Sequence, residues 1–112
     1  MSHAPLDVQA LLGAQRHAGS RFTEILRTGS MSGGLYTLPA GGNDPQSPHG
    51  EDEIYYVIAG RARIRIGDED HAVAPGSLFV VPRRVVHRFY AIDEDLKLLV
   101  VFAPAEGSSS GG

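Results

Sequence analysis

Between Arg21 and Phe102 the chain is written in a period of two, as short apolar-polar alternations cut by glycine, proline and acidic residues. Side chains on a strand leave opposite faces in turn, so this pattern commits the chain to half-buried β-structure and leaves little room for helix. The runs fall at residues 22–28, 35–38, 54–58, 62–66, 71–73, 78–81, 86–92 and 96–102. Turn signals separate them at Gly29, Gly33 and Gly34, Gly41 and Gly42, Gly60, Gly67 and Asp68, Pro75 and Gly76, and Asp93 to Asp95. Many short strands at close spacing predict an all-β antiparallel sandwich or barrel. The longest alternation, residues 54–68, reads as a hairpin about Gly60. Ala62, Ile64 and Ile66 then face the core, and Arg61, Arg63 and Arg65 form a solvated row that discourages edge-to-edge association.

Residues 5–18 depart from this period and predict a short helix, with Pro5 able to open it, Asp7 able to cap or favour its first turn, and Val8, Leu11 and Leu12 as its apolar stripe before Gly19. That helix is expected to cover a barrel mouth or pack on a partner chain. The organisation expected is a helical segment over residues 1–20, one barrel over 21–105, and a disordered tail over 106–112, where Glu106 is followed only by glycine and serine. A chain of 112 residues holds one ordinary domain. The sequence contains no cysteine, which excludes disulfides and thiolate metal sites, so any metal rests on His, Asp or Glu. Ten Lys and Arg against thirteen Asp and Glu give a formal charge of −3 without a basic cluster, which argues against nucleic acid as a partner. The amino-terminal residues lack a charged lead and a long apolar core, and no apolar run approaches the ~20 residues of a membrane span. A soluble, cytoplasmic protein is expected.

The residues able to carry chemistry are His49 and Glu53, which share a face wherever that stretch is extended, together with Ser47 and Glu51. His87 lies on a different strand, followed on the same face by Phe89 and Ala91. Metal binding needs such convergence from separate strands, since one strand cannot encircle an ion. Gly41, Ser47, His49, Glu53 and Gly60 stand at the spacing of the first cupin motif, in which a glycine is followed by two histidines, a glutamate and a glycine. Gly76, Pro82, Arg84, His87 and Ala91 stand at the spacing of the second, which runs glycine, proline, glycine, histidine, asparagine. Over about residues 33–103 the chain therefore resembles a small single-domain bacterial cupin. The resemblance implies a double-stranded β-helix barrel, a homodimer, and one divalent metal inside the barrel.

Three positions depart from the pattern: Ser47 replaces the first histidine, Arg84 a turn glycine, and Ala91 the asparagine. The implied ligands are then His49, Glu53 and His87, with Gln46 or water beside the gap. Two histidines and a carboxylate have the ligand types of a facial triad, which favours Fe(II) with open positions, while Zn(II), Mn(II) or Ni(II) remain alternatives. The function expected is a metal-dependent enzyme of oxygenase type acting on a small oxygenated or aromatic acid. The alternatives are a non-redox isomerase, lyase or cyclase, a small-molecule-binding module, or a barrel whose site is vestigial. Gln46, Ser47, Tyr55, Phe89 and Phe102 are the candidate substrate or auxiliary contacts; Phe89 and Phe102 read first as core, and Tyr55 equally as pocket lining or packing. His3, His17 and His71 lack matching partners and read as surface residues.

Overall fold

The computed structural model describes residues 3–45 and 48–107. One helix, α1 (Val8–Ala18), precedes six strands: β1 (Phe22–Arg27), β2 (Ser32–Leu38), β3 (Asp52–Ile66), β4 (Glu69–Val73), β5 (Leu78–Val81) and β6 (His87–Ala103). Asp7 rather than Pro5 sets the helix start, its carboxylate accepting from the Ala10 amide at 3.1 Å, and Gly19 closes the helix with φ 71°. Leu12 is buried, and the Gln15 amide donates to the carbonyls of Arg21 and Leu35 at 3.0 Å, which ties α1 to the residue preceding β1 and to β2.

All strand pairs are antiparallel, and β3 and β6 form the axis of the sheet. Near one end of the ribbon Glu53 pairs with Phe102, and near the other Ile66 pairs with His87. β5 and β2 flank the first half, with β1 beyond β2, and β4 flanks the second. At ~3.3 Å per residue a straight strand would put Glu53 and Ile66 some 40 Å apart. Instead the side chains of Glu53 and His87, from opposite ends of the ribbon, approach to 3.3 Å. The ribbon is thus rolled into a barrel.

The bend explains two departures from the sequence reading. Gly60 does not turn a hairpin, and the acidic triplet Asp93 to Asp95 does not end a strand; both lie within the continuous β3 and β6, where the register shifts between Val57 and Arg63. Gly60 has φ 101°, and a Cβ there would stand 2.3 Å from the Asp95 carbonyl oxygen, so only glycine lets the strands cross at the bend. Gly33 and Gly34 also lie inside a strand, β2, rather than in a turn. A Cβ on Gly34 would meet the Phe22 ring at 2.5 Å, so its absence makes room for that ring.

The alternation sorts side chains as expected, with Ala62 and Ile64 buried, Ile66 half-buried and the three arginines exposed. Tyr55, Val57, Phe89, Leu98, Val100 and Phe102 belong to the inner apolar cluster. Among the described residues no helix is long and apolar enough to cross a membrane.

Candidate metal centre

The rolled ribbon carries Glu53 on β3 and His87 at the start of β6 into the interior, where they are 1% and 4% exposed. His87 Nδ1 lies 2.9 Å from the Val85 carbonyl oxygen, which can only accept, so this nitrogen carries a proton. Nε2 faces inward, 3.0 Å from the Tyr55 hydroxyl and 3.3 Å from Glu53 Oε1. In a neutral ring Nε2 offers a lone pair, which accepts from Tyr55 but has nothing to share with a carboxylate. A proton on Nε2, or another cation between the two groups, would relieve this contact. Burial opposes charging His87, yet Glu53, the Val85 carbonyl and Asp44 more than offset it and raise its pKa above the ordinary histidine value.

Glu53 supplies the complementary observation. Neither of its oxygens has a hydrogen-bond donor at bonding geometry among the described residues. Its contact with Nε2, at 3.3 Å, becomes an ion pair when the ring is charged. A carboxylate buried without donors costs several kcal/mol unless a cation compensates it. The donor set therefore fits a divalent ion: a carboxylate short of partners beside an imidazole whose far nitrogen is fixed by a carbonyl, as metal-bound histidines are commonly fixed.

His49 stands in the segment before β3, with its carbonyl held by the Arg84 amide at 2.7 Å. Its ring centroid lies 6.2 Å from that of His87 and 4.9 Å from that of Phe102, which meets it edge-on. Its Nδ1 faces Glu106 at 3.9 Å and Glu51 at 4.0 Å. Glu53 and His87 are thus in contact and His49 flanks them. Among the described residues no three His, Asp or Glu side chains already stand at metal-holding spacing. Gln46 and Ser47 lie outside the described residues.

A cavity of about 160 Å³ opens beside these groups, lined chiefly by Phe22, Tyr36, His49, Glu53, Phe102 and Glu106. At ~30 Å³ per water it has room for about five waters or one small organic molecule. Phe102 walls this cavity, whereas Phe89 lies behind Tyr55 with ring centroids 5.0 Å apart. A larger open hollow, about 440 Å³, borders His87 between Arg65 and Arg88, but its acid Asp70 is already bonded to Arg65 at 2.8 Å and to Tyr90.

Two contributors escaped the sequence reading. Asp44 is buried and accepts from the Tyr36 hydroxyl at 2.8 Å and the Phe89 amide at 3.0 Å, which fixes both aromatic residues. Nothing in the local sequence marks it beyond its place between Gly42 and Pro45. Glu106 and Gly107, expected in the disordered tail, are instead anchored. The Glu106 amide donates to the buried Ser32 hydroxyl at 2.8 Å, the Gly107 amide to Glu51 at 3.2 Å, and Arg27 to the Glu106 carbonyl at 3.0 Å. These are main-chain bonds, which composition does not report. Residues 108–112 lie outside the described residues. Burial is the main cause that raises the Glu106 carboxyl pKa, Glu51 adds to it, and His49 opposes it.

The rolled antiparallel ribbon with inward-facing Glu53 and His87 defines a double-stranded β-helix barrel. Residues 34–102 match the family model described as Cupin domain, and the chain belongs to that family. It is 49% identical over 96 residues to the uncharacterized protein SCO3923 of Streptomyces coelicolor, covering 85% of this chain and 91% of that one. Among solved structures, TT1209 of Thermus thermophilus superposes with a TM-score of 0.72 at 26% identity, covering 90% of this chain and 97% of the other. An RmlC-like cupin of Shewanella frigidimarina matches with a TM-score of 0.70 at 17% identity over 77% of both chains. An RmlC-like cupin with a double-stranded β-helix fold from Methanocaldococcus jannaschii matches at 0.66 and 22% identity, covering 74% of this chain and 78% of the other. At those identities the latter two speak to the fold alone.

Proposed function

We propose that this cupin is a metal-dependent enzyme that binds one divalent ion through His49, Glu53 and His87 and acts on a small oxygenated molecule held in the adjoining cavity. The observation that carries this reading is the buried Glu53 carboxylate, without a donor at bonding geometry among the described residues and set 3.3 Å from an imidazole nitrogen. Two histidines and one carboxylate favour Fe(II) over the other candidates. When bound, the ion supplies Lewis acidity and, as Fe(II), the means to activate dioxygen.

The protein's own part follows from the geometry. Phe22 and Phe102 give the cavity apolar walls that favour a flat or aromatic substrate body over water. The Val85 carbonyl holds the His87 ring in one orientation, and the edge of Phe102 limits the swing of His49. Glu51 and Glu106 present carboxylates towards Nδ1 of His49, at 4.0 and 3.9 Å.

Anaerobic loading with Fe(II), followed by oxygen-uptake measurements on a panel of small aromatic acids, phenols and hydroxy acids, tests the reading. At least one substrate is expected to raise uptake above the protein blank, with His87→Ala returning it to the blank. Metal-dependent turnover without oxygen consumption would move the assignment to Lewis-acid chemistry, and silence with Fe(II), Mn(II), Ni(II) and Zn(II) alike would overturn it.

A further inference from the structure

Tyr55 sits two residues after Glu53 on β3, so alternation sends both side chains to the same inner face. It is fully buried, its ring is braced by the edge of Phe89, and its hydroxyl is 3.0 Å from His87 Nε2. That distance matters because of what surrounds an ion. With metal-ligand bonds of about 2.1 Å, neighbouring donor atoms stand about 3.0 Å apart in an octahedral sphere and about 3.4 Å apart in a tetrahedral one. Measured from Nε2, Tyr55 Oη at 3.0 Å and Glu53 Oε1 at 3.3 Å both fall on that spacing.

We propose that Tyr55 is a further ligand, its phenol oxygen completing the sphere formed by His49, Glu53 and His87 in place of the donor that Ser47 withdraws. The inference rests on the metal-dependent reading above and deepens it. In the metal-free chain the Tyr55 hydroxyl is hydrogen-bonded to Nε2 at 3.0 Å. An ion held by His87 Nε2 would replace this hydrogen bond, together with any proton on that nitrogen, and Tyr55 would be placed to hold the same ion. The bond formed is metal to phenolate oxygen, the bond broken is phenol O–H, and the proton passes to the buffer. The result is a centre with two anionic oxygens and two imidazoles, which suits a hard, higher-valent ion better than two imidazoles and one carboxylate would.

A phenolate bound to Fe(III) absorbs visible light by charge transfer, which no histidine or carboxylate ligand reproduces. Fe(III), supplied as its citrate chelate, is added to the full-length wild type and to the Tyr55→Phe and Tyr36→Phe variants. Iron content, visible absorption and resonance-enhanced phenolate vibrations are then measured. The wild type and Tyr36→Phe are expected to show the band, and Tyr55→Phe to lose it while binding iron about tenfold or more weakly. Tyr55→Phe keeps the ring that packs on Phe89, and the wild-type spectrum decides the question by itself if that variant fails to fold. An iron-loaded wild type without the phenolate signature, or a band that survives in Tyr55→Phe, overturns the Tyr55 assignment and leaves the three-residue site standing. Failure of the wild type and both variants to take up Fe(III) overturns the Tyr55 assignment, and the three-residue site falls with it only when Fe(II), Mn(II), Ni(II) and Zn(II) are refused as well.

Discussion

Arg84 and Ala91 occupy the two second-motif positions that depart from the family pattern, and both carry positive φ, 65° and 48°. A residue with a Cβ pays about 1–2 kcal/mol in the left-handed region, part of which glycine recovers against its larger unfolded-state entropy. Arg84→Gly is therefore expected to stabilise the protein by about 0.5–1 kcal/mol, read from urea denaturation. Equal or lower stability would show that the exposed arginine compensates the strain. His87 yields a pH prediction. Its folded-state pKa lies above the ordinary value, so the metal-free protein gains stability from the charged ring fully below the unfolded pKa of about 6.5 and loses it as pH rises through the folded value. Melting curves of metal-free protein are expected to show a decline above pH 6.5 that His87→Gln abolishes. An identical decline in that variant would place its origin elsewhere. The proposed metal binding is expected to run the opposite way, weakening as pH falls, because a proton and an ion would compete for the same nitrogen.

At the scale of elements, the barrel depends on β3 and β6 bending together. Gly60→Ala places a Cβ against the Asp95 carbonyl at a positive φ, in main chain that has nowhere to move. We expect a loss of about 2–4 kcal/mol in chemical denaturation; a loss under about 0.5 kcal/mol would mean that the bend is set elsewhere. The same elements show what alternation can and cannot disclose. Inward and outward faces were readable because the period is local: Ile64 and Arg65 differ by one residue and face opposite ways. Strand ends were not, because Gly60 and the triplet Asp93 to Asp95 carry turn composition yet are held in strand by each other across the bend. Gly34 misled for a similar reason, since its missing Cβ serves a distant ring, Phe22.

For the molecule as a whole, two spaced motifs disclosed the cupin barrel and its three candidate ligands, because ligand spacing along a strand is a property of sequence. They did not disclose Asp44, whose bonds reach the side chain of Tyr36 and the main chain of Phe89, or the anchoring of Glu106 through its own amide. Such contacts exist only once the ribbon has rolled. The central claim is that rolling brings Glu53 and His87 together, with His49 beside them, around a cation. Elemental analysis of protein purified without an affinity tag measures this most directly, comparing the wild type with His87→Ala after confirming that both are folded. The account predicts about one divalent ion per wild-type chain and less than a tenth of that in the variant. Metal-free wild type that stays empty after incubation with Fe(II), Mn(II), Ni(II) and Zn(II), or equal metal in both proteins, would contradict it.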